Sequence, residues 1–139
     1  PLPVLELDGA GRHVYALDPA ATFSYEYRQS IYDVPVEEHF RLEGGRLRLE
    51  RARSPHPAAL EYFRWPGEVR PDGAWLSIEA PGVVEEELVI RVAAAGQQRL
   101  RTRPGYVVSL GGLRSELVRL RGSTRPLVVW LPHRLQQID

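Results

Sequence analysis

The chain contains no cysteine, lysine, methionine or asparagine. Without Cys there is no disulfide, no thiolate metal ligand and no Cys nucleophile, although an exported protein can also do without it. Without Lys no Schiff base can form, and all 18 basic residues are Arg. These are matched by 18 acidic residues, for a formal net charge of zero. That balance argues against a nucleic-acid binder, which carries a basic excess, and against a polybasic membrane-surface protein. No apolar run approaches the roughly 18 residues that span a membrane. Position 1 is Pro rather than Met, which is expected of a processed or trimmed chain, with any signal peptide or anchor already removed. The Lys-free, Asn-free composition reads as the codon bias of a GC-rich genome. Loss of Asn and Met also suits a thermophile, although loss of Lys is not the usual hyperthermophile signal.

What is present is alternation. From Thr22 to Ile31, Phe23, Tyr25, Tyr27, Gln29 and Ile31 fall on one face, and Thr22, Ser24, Glu26, Arg28 and Ser30 on the other. Val36, Glu38, Phe40 and Leu42 repeat the pattern, with Glu37, His39 and Arg41 opposed. Both read as strands with one buried face. Tyr32-Asp33-Val34-Pro35 has the chemistry of the turn between them. Gln29 and Glu38 are polar on apolar faces, and pairing Ile31 near Val36 would set them opposite each other. A buried carboxylate needs a partner. Glu38 is therefore expected to be held by Arg, by backbone N–H groups, or by Tyr27, Ser30 and Gln29, and to lock the Gln29–Pro35 turn.

Short strands recur along the chain: Val4–Leu7, His13–Leu17, Arg46–Arg53 after the Gly44-Gly45 hairpin signal, Trp75–Glu79, Leu88–Val92, Arg99–Arg103, Tyr106–Leu110 and Pro126–Leu131. Ala80-Pro81-Gly82 reads as a turn. Ser54 to Gly73, with four Pro, reads as a long flap that buries Tyr62, Phe63 and Trp65. At most one short helix is expected, within Ala58–Phe63 or over Leu113, Leu117 and Leu120. The fold class is all-β: a single antiparallel β-sandwich or barrel spanning residues 1–139.

No catalytic signature is visible. The four His form no His-x-His or His-Glu-x-x-His set, and Glu38 and His39 point to opposite sides of a strand, so no metal site is expected. Ser109 lacks the Gly spacing of a nucleophile elbow. The Gly pairs lack the Lys-Ser/Thr of a phosphate loop. The abundance of Arg invites anion binding, but matched acids make solvated ion pairs the default. Neither a cofactor nor enzymatic activity is expected.

Gln29-Ser-Ile-Tyr-Asp-Val-Pro35-Val-Glu-Glu38-His-Phe40 resembles the signature His-Ser-Val-x-x-x-Pro-x-x-Glu-x-aromatic of the domain of unknown function 1850 family, and Gly44-Gly45-Arg-Leu-Arg-Leu49 resembles its next hairpin. Ser30, Pro35 and Glu38 match, while Gln29 replaces the signature His and cannot titrate near neutral pH. The family's later Ser-x-Gly-Ala-Gly segment falls near Ser54–Leu60, where both Gly are lost. The resemblance implies a small extracytoplasmic protein of the periplasm or cell envelope, encoded beside TRAP transporters of the TAXI type, which import organic acids. Two main readings follow. The first is a non-enzymatic accessory domain whose partners are the TRAP transporter's membrane subunits or its TAXI-type solute-binding protein. The alternative is a small-ligand binder with a pocket formed by Tyr25, Tyr27, Gln29, Ser30, Pro35 and Glu38 beneath the flap. A hydrolase using Glu38 as general base is a third reading, without a visible nucleophile.

Overall fold

The computed structural model describes residues 1–93, 96–103 and 105–126. Among them eleven strands follow the chain: β1 (Leu2–Gly9), β2 (Gly11–Ala16), β3 (Thr22–Gln29), β4 (Val34–Glu43), β5 (Arg46–Ser54), β6 (Arg70–Asp72), β7 (Trp75–Glu85), β8 (Leu88–Arg91), β9 (Arg99–Thr102), β10 (Val107–Ser109) and β11 (Leu117–Arg125). One α-helix, α1 (Pro57–Glu61), follows β5. Pairing is antiparallel throughout the described strands, in two sheets ordered β2-β1-β11-β8 and β10-β9-β3-β4-β5-β7-β6. Neither order closes on itself among the described strands, so the all-β fold is a sandwich and not a barrel.

The main core lies between the sheets. Leu5, Leu7, Ile90, Val118 and Leu120 of the smaller sheet meet Phe23, Phe40, Leu47, Leu49 and Leu100 of the larger. Phe23 and Phe40 are cross-strand partners with stacked rings 5.1 Å apart, which pins the β3–β4 register. At the β4–β5 turn, Gly44 and Gly45 both take positive φ (58° and 79°), as a two-residue hairpin loop requires. Gly122 on β11 makes room for a side chain: a Cβ there would lie 2.5 Å from Leu42 Cδ2, so Leu42 would have to move.

The β3–β4 hairpin differs from expectation in register. Gln29 pairs with Val34, and Glu38 pairs with Tyr25, so Gln29 and Glu38 are not opposite. The loop is Ser30–Asp33, and Val34 and Pro35 already belong to the strand. Asp33 takes a left-handed φ of 53°, and Arg28 braces it through its carboxylate (2.6 Å) and its carbonyl (2.7 Å). Ile31 consequently sits at the loop tip, 57% exposed, rather than in the apolar face of β3.

Two further corrections share one cause, a bulge. Between Leu49 and Arg51 the β5 register shifts against both neighbours, leaving Glu50 unpaired. Ala80–Gly82, expected to be a turn, bows out opposite Glu50 while β7 continues through it to Glu85. Pro81, which has no N–H to donate, is tolerated at such a bulge. The bulge also reverses side-chain parity: Leu47 and Leu49 face the core, as does Ala52, so Arg51 and Arg53 stay on the outer face.

In the flap, α1 is capped by His56, whose Nδ1 accepts the Ala58 N–H (3.1 Å), with Pro57 at the first helical position. Leu60 packs on Ala52 and Ile78 with Phe63 and Trp65, whose rings stack at 4.4 Å. Tyr62 is 59% exposed, against expectation, because Leu60 and Phe63 occupy the inward face of this single turn. The segment over Leu113, Leu117 and Leu120 is not a helix. A 3-10 turn covers Leu110–Leu113, then β11 buries Val118 and Leu120 with a period of two. The strand expected over Pro126–Leu131 lies outside the described residues from 127 onward.

Candidate functional site

Three polar regions surround the β3–β4 hairpin. The first is on the inward face. One cross-strand row reads Leu100, Tyr25, Glu38, Ala52, Ile78. Leu100 belongs to the main core and Ala52 and Ile78 to the cluster beneath α1, so Glu38 and Tyr25 lie on the seam between two apolar clusters. Burial pushes the Glu38 carboxyl above its usual range, and the Tyr27 hydroxyl only partly offsets it. Burial likewise raises Tyr27, with the neighbouring Glu38 adding to the effect. The Tyr25 and Tyr27 rings lie 4.9 Å apart. The Tyr25 hydroxyl accepts from Gln98 Nε2 (2.8 Å), and Gln98 also donates to the Arg91 carbonyl (2.9 Å).

Of the residues expected at a site, then, Tyr25, Tyr27 and Glu38 come together and the others do not join them. Gln29 Oε1 accepts the Tyr32 N–H (3.2 Å) and closes the hairpin loop. Ser30 is exposed in that loop. The Pro35 carbonyl accepts from Ser54 Oγ (2.9 Å), tying β4 to the start of the flap. Glu38 lies one row from the Tyr27–Val36 pair and two from Gln29–Val34, so it does not lock the turn; Gln29 and Arg28 do. Tyr27, one of the expected partners, lies near enough for its hydroxyl to offset part of the effect of burial, and no bond from Arg, Ser30 or Gln29 to Glu38 is formed among the described residues.

The second region is an open cleft of about 370 Å³ beside the hairpin, lined by Tyr27, Arg28, Ser30, Asp33, Ala93, Gly96 and Gln98. Glu38, Gln29 and the flap are not part of its lining. The flap lies on Ala52 and Ile78 instead.

The third region is the outer face of the same sheet, where sequence reading expected only solvated charge. Glu26 is buried and accepts from Arg99 Nε (2.9 Å), Arg101 Nε (3.0 Å) and Ser24 Oγ (3.2 Å). Glu37 is bonded to His39 Nε2 (2.9 Å) and Arg53 Nη1 (2.8 Å). Together the His39 hydrogen bond and Arg53 hold Glu37 below the usual carboxylate range despite burial. Arg53 also donates to Asp72 (2.9 Å) and lies over the Trp75 ring at 5.3 Å. Ser24 and His39 are direct cross-strand partners, a pairing that resembles a nucleophile and its base. The Ser24 hydroxyl is instead donated to Glu26, so the nucleophile–base bond that such chemistry requires is not formed.

Among the described residues no group of three or more His, Asp or Glu is placed to hold a metal ion. No helix there is long and apolar enough to cross a membrane. Comparison with family models, curated proteins and solved structures finds no match to this chain.

Proposed function

We propose that the chain is a non-enzymatic extracytoplasmic accessory domain that docks on a component of a TAXI-type TRAP transport system, either its membrane subunits or its solute-binding protein. The observation that supports this is the state of the hairpin carrying the family resemblance. Gln29, Pro35 and Glu38, three of its signature positions, are engaged in folding contacts. Its loop meanwhile presents Ile31 (57% exposed) and Tyr32 (41% exposed) to solvent, with Tyr32 stacked on His56 at 5.4 Å. The loop is stiffened by Arg28 and Gln29, so an apolar anchor is offered with little ordering cost, which suits partner recognition. Co-purification with the neighbouring transporter subunits tests the reading. The wild type is expected to be retained, and Ile31→Ser with Tyr32→Ser is expected to lose retention with an unchanged melting temperature. Equal retention of the variant would place the contact elsewhere; no retention of the wild type would end the proposal.

A second reading is favoured by the cleft beside Tyr27. Its volume of about 370 Å³ lies in the range of small-ligand pockets. It would make the domain a small-molecule binder whose ligand meets Tyr27, Ser30 and Gln98, rather than Gln29 and Glu38. A ligand screen by thermal shift, repeated on Gln98→Ala, separates this reading from the first.

A further inference from the structure

The outer face of the seven-stranded sheet holds a groove of about 390 Å³ crossing β9, β3, β4 and β5. Its lining includes Arg41, Arg51, Arg101 and Arg103 against a single carboxylate, Glu50. The other acids these arginines face, Glu26, Asp18 and Asp72, are not part of the lining, so the groove itself presents mostly guanidinium. These arginines are distant in sequence and are gathered by register. Arg101, Ser24, His39 and Arg51 form one cross-strand row, and Thr22 and Arg41 belong to the adjacent one. The β5 bulge is what keeps Arg51 on this face.

The fork of each arginine is only partly spent. Arg41 and Arg101 engage Glu50 (3.3 Å) and Glu26 (3.0 Å) through Nε, leaving both Nη groups without a partner among the described residues. For Arg103 the nearest acid is Asp18, at 3.9 Å. Arg51 Nε is buried and donates to nothing described; its closest carboxylate, Asp72, is 3.8 Å away. That nitrogen is buried too deeply for a groove ligand to touch, so a ligand would meet the Nη end of Arg51, whose side chain is 40% exposed. Guanidinium forks match carboxylate and phosphate oxygens in pairs.

The spacing narrows the ligand. Arg101 stands on β9 and Arg103 just past its end, whereas Arg41 and Arg51 stand on β4 and β5, about 10 and 14 Å away at the ~4.8 Å strand separation. At that backbone separation a ligand with an acidic group at each end is matched to both pairs at once, whereas a single small anion meets both only if the side chains converge across the groove. We infer that the groove is a binding site for a small dianion with acidic groups at its two ends, a short dicarboxylate being the simplest case. One end meets Arg101 and Arg103, the other meets Arg41 and Arg51, and Thr22, Ser24 and His39 form the floor.

The test is calorimetric titration of the full chain at low ionic strength with succinate and glutarate, beside acetate and inorganic phosphate. Saturable dicarboxylate binding is expected, with acetate and phosphate at least tenfold weaker. Arg51→Gln and Arg103→Gln should each weaken it at least tenfold, about 1.4 kcal/mol. Arg103 makes no bond shorter than 3.9 Å to any acid, so its variant should melt as the wild type and keeps the test valid if Arg51→Gln unfolds. Arg119→Gln, whose partner Glu87 lies off this sheet, should bind normally. Equal binding of acetate or phosphate, wild-type affinity in Arg103→Gln, or no saturable dicarboxylate binding would each overturn the inference.

Discussion

The two faces of the seven-stranded sheet treat charge in opposite ways. On the outer face, Glu26 is held by Arg99 and Arg101, and Glu37 by Arg53 and His39. On the inner face Glu38, the very next residue, has a tyrosine hydroxyl and two apolar clusters around it. Strand geometry alone separates them, since consecutive side chains point to opposite sides. The shifts follow: Glu37 is pushed down and Glu38 up. The outer face is built from ion pairs that water can partly replace. The inner face is built from packing that it cannot replace, so the two should respond differently to mutation, salt and pH.

The largest expected effect compares neighbours on β4. Phe40→Ala removes the ring stacked on Phe23 in the main core and should cost about 3–5 kcal/mol. Arg41→Ala, one residue on and outward, loses a single half-exposed pair with Glu50 and should cost under about 1 kcal/mol. Urea denaturation of both measures the contrast, and a comparable loss in the two would show that the outer face is structural.

Much of this contrast is legible in the sequence, because strict alternation over Phe23–Tyr27 and Val36–Leu42 assigns each residue to a face. The bulge at Glu50 is not. Its local trace is the adjacent polar pair Glu50-Arg51, which sets Leu49 and Ala52 three apart instead of two, and a lone Ala is a weak apolar marker. The compensating signal was Pro81-Gly82, which reads as a turn unless the strand opposite is known. The hairpin register was missed for a related reason. Ile31 continues the apolar stripe of β3, and only the Arg28–Asp33 brace and the Phe23–Phe40 pairing place it at the tip. The arginine groove was invisible because its members span Arg41 to Arg103 and meet only through strand pairing.

The second effect is that of Glu37. Replacing it with Gln weakens the bonds to Arg53 and His39 and should cost about 1–3 kcal/mol at neutral pH. Its folded pKa is lowered, so the stability it supplies is present above pH 4.5 and is lost as pH falls through the folded value. The Glu37→Gln penalty should therefore shrink on acidification. Glu6 behaves in the same sense: burial alone would raise it, but Ser123, Arg12 and Arg125 bring it below the usual range. Stability measured from pH 3 to 7 checks this; a penalty independent of pH would remove the ionic account of the outer face.

The smallest effect has the opposite sign and is the sharper test. Glu38 has a raised folded pKa, so protonation favours the fold: its contribution is fully present below pH 4.5 and is lost as pH rises through the folded value. Glu38→Gln keeps the shape and an acceptor for the Tyr27 hydroxyl but cannot ionise. At neutral pH it should therefore be more stable than the wild type, by up to about 1–2 kcal/mol, the range for relieving a poorly matched buried polar group. Below pH 4.5 the gain should vanish. Glu38→Ala removes that acceptor and leaves a void between the two apolar clusters, so it should instead destabilise by about 2–4 kcal/mol. The pair separates shape from charge at one position. If Glu38→Gln were less stable than the wild type at pH 7, the ionised carboxylate would have to be satisfied on the inner face, and the two faces would no longer differ in the way proposed.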